Sequence, residues 1–288
     1  GVDLHVQCSP IGPIYHLHQA QGNVTIGYGD VNVVGFIGTY GYCNSIGHAA
    51  VVASRGSHAH NVFGFDMVAA SGGTPAQPAG RQLFTNSLGG INTHLLENGG
   101  RVLGFEGHQG YAWVSCDLDA AYKMPGYEMS EARRAVVHVK PGVIMVFDHA
   151  VSASGTHTFH NHFQTMTTTP TLASGVVTVP SASTKVRAAY ASGTVDWTLG
   201  NQGWPDNATP SGGLAPYNVA PAAPFNNYAN LSTPASSWQM AMLYEVGADA
   251  VSAVTGSQAG GVITVGFTYR SRTYTITFDT ATGEVGGL

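Results

Sequence analysis

The sequence predicts an all-β protein, a large antiparallel β-sandwich, and three observations carry that prediction. Charged residues are 9% of the 288 and glycines number 38, against about 25% charged in an average soluble domain. So few Glu, Lys and Arg deny helices their best surface formers, and abundant glycine suits many turns. Segment after segment also repeats its apolar residues every second position, the period of a strand. Lys140-Pro141-Gly142 stands as a turn signal between two β-branched runs, Arg134–Val139 and Val143–Asp148, which together read as a hairpin.

In chain order, residues 1–30 are rich in Gly, His and Gln and read as an irregular segment, a linker from a domain outside this chain. The β-sandwich domain is expected over 31–288. Val31–Thr39 and Ala49–Ala53 are apolar runs of strand length, and Gly72–Gly80, with two prolines, reads as a loop. In His58–Met67, alternation puts Ala59, Phe63, Phe65 and Met67 on one face and His58, His60, Val62 and Asp66 on the other. In Thr156–Gln164 it puts His157, Phe159, Asn161 and Phe163 opposite Thr158, His160, His162 and Gln164. Further strands are expected at Val176–Val179, Val186–Tyr190, Trp238–Tyr244, Val262–Tyr269 and Thr273–Phe278, the last with Tyr274, Ile276 and Phe278 inward. The stretch 200–234 is rich in Pro, Asn, Ala and Gly and reads as a long loop.

Eleven Lys and Arg against a net charge of −5 leave no basic surface for a phosphate backbone, so nucleic acid is not an expected partner. The longest apolar runs, such as Val143–Phe147, are too short to span a bilayer. Low charge and Ser/Thr/Asn richness lead us to expect a secreted or periplasmic protein. Cys8, Cys43 and Cys116 leave two arrangements open, one disulfide with a free thiol or three buried thiols.

Two His-rich segments are candidates for chemistry. On a strand, His58 and His60 project from one face about 7 Å apart, close enough to share a metal or for one to polarise a substrate. His160 and His162 share a face in the same way. If the two strands are neighbours, four imidazoles cluster, and neutral imidazole is a common ligand for zinc and similar divalent metals. Asp66, six residues beyond His60, is too far along an unbroken strand to join it. Arg133-Arg134 stands just before an apolar strand, and an Arg has the fork geometry to clamp a carboxylate; the structural alternative is a local ion pair with Glu128 or Glu131. GxSxG, P-loop and HExxH patterns are absent from the sequence.

Several segments, in order, resemble the heparinase II/III-like polysaccharide lyases. Ser57–Met67 (SHAHNVFGFDM) resembles that family's His-rich strand, and Asn92-Thr93 falls where it often has His-Asn-Thr. Arg134–Asp148 resembles its hairpin of Arg, strand, turn, strand, Asp, and Thr156–Gln164 its following His-containing strand. The match runs over about residues 45–165. It implies a supersandwich-like β-domain preceded by a helical toroid, which is absent from this chain because no long helical pattern precedes Val31. The activity implied is that of a carbon–oxygen lyase, β-elimination on an acidic, uronate-containing polysaccharide. In that chemistry a Tyr or His base takes the C5 proton and a Tyr acid protonates the leaving oxygen. The toroid, as a separate or cleaved partner, would supply the Tyr.

Carried over residue by residue, the resemblance implies that His58 is the active-site-facing, catalytic histidine and His60 a metal ligand. Asn61 and Arg134 are expected to contact substrate. The family's metal Asp and metal His would fall at Pro78-Ala79-Gly80 and at Ile91, so a zinc site is expected to be absent or rebuilt from His60 with His160 and His162. Two alternatives stand beside the lyase. One is a non-catalytic sugar-binding or structural sandwich. The other is a cupin-like metalloprotein, since His58-x-His60 and Gly72 to Gly80 mimic cupin signatures, although Leu83 replaces a metal His.

Overall fold

Strands whose apolar residues run on without a polar interruption need cover on both faces, and the middle layer of this fold supplies it. The structure is a computed structural model. It describes residues 1–8, 21–29, 31–35, 60–68, 77–80, 82, 99–123, 125–165, 170–180, 183–200 and 225–288. Those residues form strands and no α-helix. In chain order the strands are β1 (Val2–Gln7), β2 (Asn23–Tyr28), β3 (Val31–Gly35), β4 (Phe63–Val68), β5 (Gln77–Gly80), β6 (Arg101–Gly107) and β7 (Tyr111–Asp117). Next come β8 (Met129–Val139), β9 (Val143–Ser152), β10 (Phe159–Thr165), β11 (Thr171–Ala173), β12 (Val176–Val179), β13 (Thr184–Ala191) and β14 (Val195–Thr198). The last are β15 (Phe225–Leu231), β16 (Ser237–Glu245), β17 (Val251–Ala259), β18 (Val262–Tyr269), β19 (Arg272–Asp279) and β20 (Val285–Gly286).

Three antiparallel sheets stack. The first runs β1-β2-β3-β10-β15-β14, with β4 also on β10 and β5 on β4. The second runs β11-β12-β13-β16-β9-β8-β7-β6, and the third β17-β18-β19-β20. Alternate residues of β9 divide between two cores. Ile144 and Val146 join Val24, Ile26, Phe63, Phe65, Phe159 and Phe163 of the first sheet. Val143, Met145 and Phe147 join Ile263, Val265, Phe267, Ile276 and Phe278 of the third. β16 divides in the same way, with Met240, Met242 and Tyr244 on one side and Ala241 and Leu243 on the other. The all-β sandwich expected from composition is therefore present, with a third sheet laid on its outer face.

The expected hairpin forms β8 and β9, in register from Val139↔Val143 to Arg134↔Asp148 and beyond. β12 and β18 match their expected bounds. Four expectations are corrected. Residues 1–30 are not irregular throughout, because β1 and β2 pair there from Val2↔Tyr28 to Gln7↔Asn23; glycine richness masked a short alternating strand at each end. The stretch 200–234 is not all loop, since β15 lies between β10 and β14, with 201–224 outside the described residues. Gln77–Gly80 is a strand on β4 in place of the loop its prolines suggested, at a sheet edge where a missing N–H is tolerated. β4 begins only at Phe63, and Asp66 breaks the alternation with a left-handed φ of 51°. Ala49–Ala53 and Asn92-Thr93 lie outside the described residues.

Candidate functional site

β4 and β10, about a hundred residues apart in sequence, pair antiparallel through Phe159↔Phe65, His160↔Gly64 and Asn161↔Phe63. This brings the two His-rich segments side by side. His60 and Asn61 lie in the turn that enters β4, and the His162 N–H donates to Val62 O at 3.0 Å. His58 lies outside the described residues. Alternation along β10 works as expected. Phe159 and Phe163 enter the core, while the His160 and His162 rings face Tyr228 of β15 at centroid distances of 5.7 and 5.4 Å.

His160 is buried and has both ring nitrogens engaged. Nε2 accepts the Met67 N–H at 2.9 Å, and Nδ1 hydrogen-bonds Asn230 Oδ1. An acceptor at Nε2 and a carbonyl oxygen at Nδ1 set the neutral Nδ1–H tautomer. Burial lowers the His160 pKa to about 4, against opposing contributions from the Asn230 hydrogen bond and the Asp66 charge. Between the ordinary value near 6.5 and about 4 the unfolded chain takes up a proton that the folded chain refuses. Stability is thus fully present above pH ~6.5 and lost as pH falls toward ~4, by roughly 3 kcal/mol at most. We expect Tm measured across this window to fall in the parent protein, and to lose that part of its slope in His160→Gln. An unchanged slope in the variant would assign the acid lability elsewhere.

Asp66 holds the other end of the segment. Its carboxylate accepts from His157 Nδ1 at 2.8 Å and from the Thr158 N–H at 2.7 Å, and its own N–H donates to Thr158 O at 2.9 Å. The left-handed backbone turns the carboxylate toward β10, a conformation Asp adopts more readily than most residues. His157 faces the opposite way from His160, as alternation requires. It is buried against Phe65, Trp238 and Tyr127, the last at 4.9 Å between ring centroids. An unbroken strand along His58–Met67 would hold Asp66 away from His60, and the strand is instead broken at Asp66 itself. The partner of Asp66 comes from the segment that leads into β10.

Arg134 is not at the surface. Its side chain is 1% exposed and forms a bidentate pair with Asp148, Nε to Oδ1 at 2.6 Å and Nη2 to Oδ2 at 3.0 Å. Nη1 donates to Gly22 O at 2.7 Å and also to Asn61 O. The expected substrate clamp at Arg134 is corrected, whereas the local ion pair expected of Arg133-Arg134 forms at Arg133. Core-side alternation on β8 points Arg134 between the sheets, and Asp148 is its direct cross-strand neighbour. Neighbouring Arg133 is the one near Glu131, at 3.8 Å. Asn161 Nδ2 completes the Asp148 shell. Asn61 is also buried, not open to substrate. It donates to Val24 O and Gly35 O at 2.6 Å each, and its oxygen accepts the Gln164 N–H. Together these residues brace the turn that carries His60. An Asn on the core-facing side of β10 was the signal in the sequence that such a network had to exist.

The rebuilt zinc site does not assemble. His60, in the turn before β4, and His162, on β10, are both buried, but both His160 nitrogens are already engaged. No group of three His, Cys, Asp or Glu side chains among the described residues is arranged to hold a metal ion. The described residues therefore offer no ligand set for the metal implied by the resemblance, and His58 and Leu83 of the cupin-like alternative lie outside them. What the polar face offers is hydrogen-bonding chemistry from imidazole, amide and phenol groups.

No protein-family model matches the sequence, and no curated protein does. Solved structures match the fold. A mutant of the heparan sulfate lyase HepC from Pedobacter heparinus has a TM-score of 0.63 at 12% identity over 96% of this chain and 39% of its own. A heparinase III with methylated lysines scores 0.63 at 10% identity over 96% of this chain and 38% of its own. A further heparinase III scores 0.58 at 14% identity, covering 91% and 36%. The chain thus spans under two fifths of these proteins. At such identity the likeness is one of fold.

Proposed function

We propose that this chain is the β-sandwich half of a polysaccharide lyase cleft, acting on a uronate-containing polymer by β-elimination. The observation that carries the reading is the fold likeness to heparan sulfate and heparinase III lyases over 96% of the chain. The ordered motifs of residues 45–165 point the same way independently. In this reading a helical domain, on the same or a separate polypeptide, closes the cleft and supplies the Tyr, and the protein works outside the cytoplasm. His58 faces the substrate. His60 and Asn61 ride on the turn braced by Arg134 and Asp148, whose role is positioning. Arg134 is committed to Asp148, so neutralisation of the uronate carboxylate falls to groups other than Arg134. No helix of the described residues is long and apolar enough to cross a membrane.

The test is digestion of a panel of uronate polymers, heparan sulfate among them, by the full-length protein. The expected product carries a 4,5-unsaturated uronate that absorbs in the near ultraviolet. Saturated reducing ends alone would replace elimination with hydrolysis. Retention on the polymer without cleavage would favour the sugar-binding sandwich.

A further inference from the structure

We propose that Cys8 and Cys116 are a disulfide-forming pair that staples the first sheet to the second when the chain meets a low-molecular-weight disulfide such as oxidised glutathione. The proposal goes beyond the lyase reading and does not depend on it. Cys8 follows β1, which among the described strands lies at the edge of the first sheet, on β2. Cys116 lies on β7, in the second sheet. Both side chains belong to the core between these sheets, Cys116 fully buried and Cys8 half-buried, and the two thiols hydrogen-bond each other. Gly100 makes the approach practicable, because a Cβ there would stand 2.8 Å from Cys8 Sγ.

The two sulfurs are not equivalent. The hydrogen bond from Cys8 pulls the Cys116 thiol pKa down, helped by the Arg134 charge and opposed by burial, and the same contact pushes Cys8 up. Arg134 is the cross-strand neighbour of Cys116, so the ion pair that braces the turn also favours thiolate at Cys116. Exposure sets which sulfur reacts first. The reachable Cys8 passes its proton across the hydrogen bond to the Cys116 thiolate as it attacks oxidised glutathione, forming a mixed disulfide and releasing one glutathione thiolate, which takes that proton from Cys116. The buried Cys116 thiolate then attacks the Cys8 sulfur and expels the second glutathione. Two protein thiols are oxidised, one glutathione disulfide is reduced to two thiols, and the two protons end on the leaving glutathiones. The bond closes a loop of more than a hundred residues across the sandwich, where a cross-link restrains the unfolded chain strongly.

The experiment uses the full chain carrying Cys43→Ser, so that only the pair can react. After incubation with oxidised glutathione we expect loss of both thiols, a mass lower by two hydrogens, and a peptide joining the segments around Cys8 and Cys116. Tm should rise by on the order of 10 °C and return on adding dithiothreitol. In the same background Cys116→Ser should stop at the mixed disulfide, with one glutathione on Cys8. A parent protein that retains both thiols, that stops at the glutathione adduct, or whose closed form melts no higher than the reduced form overturns the proposal.

Discussion

Asp148→Ala is expected to cost about 3–5 kcal/mol, roughly 10 °C in Tm. The carboxylate is fully buried and takes two hydrogen bonds from Arg134 and one from Asn161. Burial pushes the Asp148 carboxyl pKa up, and the Arg134 charge and these hydrogen bonds push back. Removing it leaves a guanidinium between the sheets with no counter-charge and an amide with no acceptor. Both penalties fall on the folded state. The exposed pair of Arg270 and Asp249, at 3.3 Å with side chains 59% and 49% exposed, is the matched control. Asp249→Ala should cost ~0.5 kcal/mol or less. Chemical denaturation of both variants measures the contrast. A loss below about 1 kcal/mol for Asp148→Ala would mean that the Arg134 charge is solvated in the variant, and the bracing role assigned to this pair would fall with it.

His58→Ala is expected to lower lyase activity of the full-length protein by 100-fold or more, the usual range for a lost acid–base group, with Tm unchanged. The expectation rests on the proposed function, in which His58 meets the substrate while its neighbours Asn61 and Arg134 hold the turn. Those neighbours serve as the contrast. Asn61→Ala removes two donors and one acceptor from the buried network, so stability and activity should fall together. Activity and melting measured on one preparation of each variant separate the cases. If His58→Ala unfolds early and its activity tracks the folded fraction, His58 is structural.

The two expected effects differ in how far the sequence anticipates them. His58 is singled out by pattern alone, because HxH before an apolar run resembles a known lyase motif. Asp148 marks only the end of a hairpin in the sequence, and its weight comes from facing Arg134. The reading of Arg134 as a surface clamp failed for a definite reason. Alternation states which residues share a face but not which face is covered, and β8 is covered on both.

What the sequence by itself determined is local. Low charge, abundant glycine and a two-residue period settle an all-β chain, the β8–β9 hairpin, the bounds of β12 and β18, and the shared face of His160 and His162. These follow from backbone geometry and side-chain polarity within a few residues, so no distant partner is needed to read them. Only the tertiary structure decided the rest. Pairing of β4 with β10 gives Asp66 its His157, the third sheet turns β9 into a strand with two cores, and the stacking of the first two sheets brings Cys8 to Cys116. Each of these joins residues far apart in sequence, and its free energy depends on desolvation and cross-strand contact. Neither exists until the chain has folded.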